Sequence, residues 1–133
     1  EETYFPLCQE LGITYVSACP LAKGFLSNRY SPETQYREGD WRGNMKLFKK
    51  ESMDRNRGLM ELITEYADKK SATPAQIALA WEIIKKPFIV PIPGTTKRER
   101  VKENFGAIDV ELTADEMNEI ENALSHMDIA GMG

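Results

Sequence analysis

Phe88-Ile89-Val90-Pro91-Ile92-Pro93-Gly94-Thr95-Thr96-Lys97-Arg98-Glu99-Arg100 is the stretch around which the rest of this chain is arranged. Its first five residues are apolar and partly β-branched, the profile of a short strand. A helix is predicted after Gly94, starting near Thr95 or Thr96, with Glu99 three residues past Thr96 in capping-box position, and running to about Phe105. Its first turns carry Lys97, Arg98 and Arg100, although a helix amino terminus already bears about half a positive charge. Each cation there costs a few tenths to about 1 kcal/mol unless an anion sits in front of the helix. A bound phosphate would reverse the sign: Gly94 permits close backbone approach, and the amides from Thr95 onward are free donors. Charge pattern alone fits equally well a solvated basic face balanced by Glu99 and Glu103.

Upstream, Thr73-Pro74-Ala75-Gln76 supplies an N-cap, a first-turn proline and a capping-box glutamine. The helix it opens has Ile77, Ala80, Trp81 and Ile84 as its buried stripe and stops at Lys85-Lys86-Pro87. A second strand precedes it. Ile13-Thr14-Tyr15-Val16-Ser17-Ala18-Cys19 is β-branched and small, stops at Pro20, and reads as mostly buried. Strand, helix, strand in this order implies a parallel crossover. Pro20-Leu21-Ala22-Lys23-Gly24 leaves the first strand as a loop that suits a phosphate, or as a plain strand-ending turn with an exposed lysine.

The remaining elements are helical or irregular. Tyr4, Leu7, Cys8 and Leu11 recur at helical spacing, with Gly12 where a left-handed cap belongs. Leu59, Leu62, Ile63, Tyr66 and Ala67 make one face of a helix over about 54–70. Leu112-Thr113-Ala114-Asp115-Glu116-Met117 combines a capping box with a hydrophobic staple and opens a last helix whose stripe is Met117, Ile120, Leu124 and Met127. Positions 27–52, polar and interrupted by Pro32, Gly39 and Gly43, are expected to be irregular and partly disordered. Trp41 in this segment either lines a substrate pocket or packs beneath the loop.

The 133 residues fit one α/β domain, two strands with about five helices, and fall short of a whole eight-stranded barrel. The start Glu1-Glu2-Thr3 reads as a cut inside a larger protein. A formal net charge of −4 argues against nucleic acid or an anionic membrane as partner, so any anion site is local. No apolar run is long enough to span a bilayer. Cys8 and Cys19 lack metal-ligand spacing and read as reduced thiols of a cytoplasmic protein, with no metal site.

The two strand-ending segments together resemble the aldo-keto reductase family, in which they correspond to barrel strands seven and eight. Leu11-Gly12-Ile13 through Cys19-Pro20-Leu21-Ala22-Lys23-Gly24-Phe25-Leu26 is similar to the family's strand-seven segment, with Cys19 where a serine is common. Ile92-Pro93-Gly94-Thr95 followed by Arg100, Glu103 and Asn104 resembles the family signature, with four residues between threonine and arginine. The resemblance extends through Thr73–Trp81 and the helix after Leu112-Thr113. It implies that residues 1–133 form the carboxy-terminal, NADP(H)-binding part of a (β/α)8 barrel. Arg100 and Thr95 would meet the adenosine 2′-phosphate, Glu103 and Asn104 the adenine or its ribose, and Cys19, Leu21, Lys23 and Gly24 the pyrophosphate, with Ile92, Gly94 and Lys97 alongside.

Two positions depart from the family pattern: Ala18 stands where many members stack an aromatic on the nicotinamide, and Gly94 where some carry a lysine, so that Lys97 would supply that charge. The family's catalytic Asp, Tyr, Lys and His lie on earlier strands, so no catalytic residue is assigned in this chain. His126, late in the last helix, reads as structural or solvent-facing. The implied parent reduces a small aldehyde or ketone by hydride transfer from NADPH. The alternative is a non-catalytic NADP(H)-binding redox-sensing or interaction module of the same fold. Two strands cannot close a barrel, so self-association of the chain is expected.

Overall fold

A computed structural model describes residues 2–131. Helix α1 spans Tyr4–Leu11 and ends on Gly12, whose φ of 63° puts the cap in the left-handed region that its missing Cβ permits. Strand β1 spans Tyr15–Ala18 and β2 spans Ile89–Ile92. The two pair in parallel, Tyr15 opposite Ile89 and Ala18 opposite Ile92. Phe5 of α1 meets Tyr15 and Phe88 edge to face, with ring centroids 5.3 and 5.7 Å apart, docking that helix on the start of both strands.

Between the strands lie α2 (Lys50–Arg55), α3 (Arg57–Lys70) and α4 (Pro74–Lys85), and after them α5 (Arg98–Phe105) and α6 (Ala114–Ser125). That makes six α-helices among the described residues rather than about five, because the helix expected over 54–70 is preceded by the short, separate α2. The capping boxes predicted at Thr73/Gln76 and Thr113/Glu116 both form with reciprocal hydrogen bonds. The core is helical: Leu59, Ile63 and Tyr66 of α3, Ile77 and Ala80 of α4, Leu112 and Ile120 pack together. Trp81, Met117, Leu124 and Met127 lie partly buried against them, whereas Ile84, expected in the same stripe, is exposed.

Three expectations need correction. Strand β1 is mostly exposed, Val16 by 55%, because a two-stranded sheet leaves each strand one unpaired edge and little cover. Residues 27–52 are not a disordered loop: they turn through short 3-10 segments at Trp41–Asn44 and Lys46–Phe48, and Phe25, Leu47, Phe48 and Met53 form a second apolar cluster. Tyr30, Tyr36 and Phe48 stack around it with centroids 5.3–6.0 Å apart. Finally, α5 begins at Arg98 rather than at Thr95 or Thr96, with Lys97 as its N-cap and no side-chain capping bond.

The segment after α6 returns across this cluster. Buried Asn56 donates from Nδ2 to the Ala130 carbonyl at 2.9 Å and accepts from the Ala130 N–H at 2.8 Å, so both its polar ends are satisfied. No helix among the described residues is long and apolar enough to cross a membrane.

Candidate functional site

Both parallel strands run into one cavity of about 630 Å³ at their carboxyl ends, the edge on which ligands of α/β sheets collect. The turn after β1 forms one wall. Cys19, Ala22 and Lys23 hold left-handed φ angles of 56°, 46° and 61°, and Gly24 follows at 96°. Non-glycine residues in that region carry a conformational cost, of order 1 kcal/mol or more each, so this turn is held by its surroundings and not by local preference. Its backbone closes through Ala22 N–H to Cys19 O and Gly24 N–H to Leu21 O, both 2.8 Å. The Lys23 ammonium donates to Cys19 Sγ at 2.9 Å.

The opposite wall comes from the end of β2. A Cβ placed on Gly94 would meet no atom within 4 Å, so the space in front of this residue is open to a ligand. Thr95 Oγ1 accepts the Lys97 N–H at 3.1 Å, which turns the chain into α5. Without a side-chain cap, the Arg98 and Glu99 amides at the start of α5 keep their donor capacity, whereas the Arg100 N–H donates to the Lys97 carbonyl at 3.1 Å, and the helix dipole adds to the pull on an anion. Arg100 lines the cavity, and its buried Nε has no hydrogen-bond partner in the protein, a costly state for a guanidinium unless a ligand accepts from it.

Of the residues singled out in the sequence, Cys19, Leu21, Lys23, Gly24, Ile92, Gly94, Thr95, Arg100, Glu103 and Asn104 all line this one cavity. Lys97 does not; it caps α5 from the exposed side. Glu103, only 16% exposed, accepts from Arg29 at 2.6 Å and thereby joins the 27–52 segment to α5. Gln76 ties α4 to the same helix by donating from Nε2 to the Glu103 carbonyl at 3.0 Å.

Sequence reasoning missed Arg29, Tyr30 and Arg42, which also line the cavity. No spacing rule marks them, since the fold alone brings the irregular segment over the strand ends. Four cations, Lys23, Arg29, Arg42 and Arg100, thus face one carboxylate, Glu103, in a chain whose net charge is −4. The cavity is a local positive region suited to an anion with several charges. Arg42 is the most constrained of the four: its hydrogen bonds to Asp40 hold that carboxyl below its ordinary range and push the guanidinium up. Trp41 lines the cavity's rim and is 54% exposed, so it does not pack beneath the loop.

A smaller cavity of about 200 Å³ between α3, α4 and α6 is almost wholly apolar, with Glu82 as its one charged lining residue, and offers nothing to an anion. Burial pushes the Glu82 carboxyl up, against a hydrogen bond from Ser17. His126 is exposed, with Nδ1 2.7 Å from the Asn122 carbonyl at the end of α6, far in sequence from the cavity residues. Among the described residues no cluster of His, Cys, Asp and Glu has the make-up of a metal site, and Cys8 and Cys19 are both free.

Comparison with known proteins gives a consistent result. A sequence profile of the aldo/keto reductase family matches residues 1–125. A probable aldo-keto reductase of Glycine max is 39% identical over 98% of this chain and 38% of its own length. The NADP(+)-linked aldo-keto reductase yakc of Schizosaccharomyces pombe is 36% identical over 93% of this chain and 36% of its own. Among solved structures, a thermostable aldo-keto reductase crystallised with the inhibitor epalrestat superposes with a TM-score of 0.58 at 25% identity, over 89% of this chain and 32% of that one. A glycerol dehydrogenase from Gluconobacter oxydans superposes with a TM-score of 0.78 at 20% identity, over 96% and 38%, a likeness of fold alone. The chain thus spans a little over a third of the curated relatives it matches, and its two parallel strands and helices correspond to about a third of a (β/α)8 barrel.

Proposed function

Because the chain belongs to the aldo/keto reductase family, we propose that it carries the part of such an enzyme that grips NADP(H) by its phosphates. The observation that carries this reading is that Arg100, whose buried Nε has no hydrogen-bond partner in the protein, lines the same cavity as Gly94 at the start of an uncapped helix. A guanidinium meets a phosphate with paired, charge-assisted hydrogen bonds, and strands seven and eight of such barrels commonly end in phosphate sites. Arg100 and Thr95 hold the 2′-phosphate, with Gly94 and Ile92 leaving room for it. Glu103 and Asn104 contact the adenosine, and Cys19, Leu21, Lys23 and Gly24 cradle the pyrophosphate, with Lys97 adding charge from outside the rim. Arg29 is a further phosphate ligand by position, once released from Glu103.

When bound, the cofactor supplies hydride for reduction of a small aldehyde or ketone. This chain's residues bind and orient it; none of them is assigned the proton transfer. The unpaired outer edges of β1 and β2 support association with further strands of a barrel or with a second copy of the chain. Free thiols at Cys8 and Cys19 support a reducing, cytoplasmic setting.

Arg100→Ala tests the reading. By calorimetry its NADPH affinity falls about 10- to 100-fold, since charge-assisted bonds contribute roughly 1.5–3 kcal/mol. Its preference for NADPH over NADH disappears, and its dependence on salt flattens. Unchanged NADPH affinity and salt dependence would sink the proposal.

A further inference from the structure

Among the described residues, Trp41 is the one large aromatic that the fold holds on the rim of the cavity instead of packing away. Of the other large exposed apolar side chains, Tyr15, Val16, Val90, Ile92, Val101 and Phe105 lie on the two strands or on α5, where further barrel elements would supply cover. Trp41 belongs to neither setting. It sits at the first position of a 3-10 turn that the protein fastens from several sides.

Asp40 caps that turn by accepting the Arg42 N–H at 3.1 Å, and accepts again from Arg42 Nε at 2.8 Å and Nη2 at 2.7 Å. Arg42 Nη1 reaches the Tyr30 hydroxyl, and the guanidinium carbon stands 4.9 Å from the Tyr30 ring centroid. Tyr30 stacks on Tyr36, and a Cβ on Gly43 would lie 3.4 Å from the Tyr36 ring, so the turn rests directly on that stack. Lys49 Nζ donates to the Gly43 carbonyl at 2.6 Å. All this bonding fixes the backbone of Trp41 while its indole stays 54% exposed. The Lys23 ammonium stands 5.7 Å from the ring centroid, which places the indole on the β1 side of the cavity, across from Arg100 and α5.

An exposed indole on a fastened turn lowers the cost of stacking, because the backbone that carries it is already ordered before a ligand arrives. Its electron-rich face favours cationic or electron-poor partners. From this geometry we infer that Trp41 is a stacking face for a flat, electron-poor ring of the ligand held in this cavity, on the side of the phosphates remote from α5. The inference rests on the cofactor reading above. Two sources share the ring's chemistry: the nicotinamide of oxidised cofactor and an aryl carbonyl substrate. Ala18, with only a methyl group, offers no competing aromatic face on the same strand end.

Four probes test it by calorimetry and by 19F NMR of protein labelled with 5-fluorotryptophan: NADP+, nicotinamide mononucleotide, adenosine 2′,5′-bisphosphate and 4-nitrobenzaldehyde. In the unmutated protein, NADP+ or 4-nitrobenzaldehyde, whichever supplies the stacked ring, shifts the Trp41 resonance, assigned with Trp41→Phe, and adenosine 2′,5′-bisphosphate leaves it in place. Trp41→Ala weakens the probe that supplies the ring by about fivefold or more, the scale of a stacking contact, and Trp41→Phe by no more than about threefold. Asp40→Ala, which frees the turn and keeps the indole, falls between them. Loss confined to NADP+ and the mononucleotide makes nicotinamide the ring; loss confined to the aldehyde makes it the substrate. Wild-type affinity of Trp41→Ala for all of these, with Arg100→Ala weakened, overturns the stacking role and spares the cofactor reading. If the unmutated protein binds none of the probes, the cofactor reading fails and this inference with it.

Discussion

α4 and α5 flank strand β2 and are tied to one another by Gln76, yet they begin in opposite ways. α4 opens with a complete capping box, a proline in its first turn, and five buried residues from Ala75 to Ala80. α5 opens with Lys97 as an N-cap that makes no side-chain bond, carries Arg98 and Arg100 in its first turn, and buries no residue. By local rules α4 is consistent at every level and α5 violates two: an unfilled cap and cations at the positive end of the dipole. Such violations concentrate where a protein binds something, because the missing stabilisation is restored by the ligand. On the reading proposed above, α4 is the element that holds the fold, and α5 the one that gives up stability for recognition.

Removing core from the first element gives the largest expected effect. Leu79 of α4 is 1% exposed, and Leu79→Ala lowers unfolding free energy by about 2–5 kcal/mol in denaturant titration, as buried leucine truncations do. A loss below about 1 kcal/mol would mean that α4 is not the structural element, and the contrast would collapse.

A second prediction uses pH to probe the helical side. Tyr66 of α3 is 2% exposed, and its hydroxyl donates to Glu119 of α6 at 2.7 Å. Burial, then that bond, pushes its phenol up to about 12. The folded state therefore keeps its proton longer than the unfolded chain, so stability is whole below about pH 10 and falls as pH rises from there towards 12. The loss specific to this group is on the order of 1–3 kcal/mol, at about 1.4 kcal/mol per unit. It is read as the difference between the parent and Tyr66→Phe, whose profile is flatter over that range. Coincident profiles would remove Tyr66 from the packing between α3 and α6.

How much of this was legible follows the same division. The capping boxes at Thr73 and Thr113 and the left-handed cap at Gly12 could be read because each is a contact over three or four residues, encoded in side-chain type. The strand ends at Ala18 and Ile92 could be placed from the prolines, Pro20 and Pro93, that follow them within two residues. What escaped depends on distant neighbours or on backbone strain. Nothing in the composition of Cys19, Ala22 and Lys23 announces left-handed φ angles, since glycine is the usual signal. Arg29 meets Glu103 across 74 positions, and Phe25, Leu47, Phe48 and Met53 form a cluster without any repeating period, so a folded segment reads as a loop. The burial expected for β1 failed because hydropathy reports what a strand prefers to contact, and the described residues give it one neighbour.

The smallest effect bears most directly on the contrast. Lys97→Ser gives α5 the acceptor it lacks, and N-cap replacements of this kind contribute about 0.5–1 kcal/mol to stability. If the first-turn amides are reserved for phosphate, the serine hydroxyl competes for the same N–H groups. The variant then unfolds at a higher midpoint and binds NADPH more weakly, by roughly twofold to fivefold on that energy scale. Charge loss alone weakens binding too, so Lys97→Ala is the reference: it removes the same ammonium without adding an acceptor. Weaker binding by Lys97→Ser than by Lys97→Ala isolates the competition for the amides. Equal binding by the two, with the serine still stabilising, would mean that the uncapped end of α5 is merely unoptimised, and Arg100 alone would then have to account for the site.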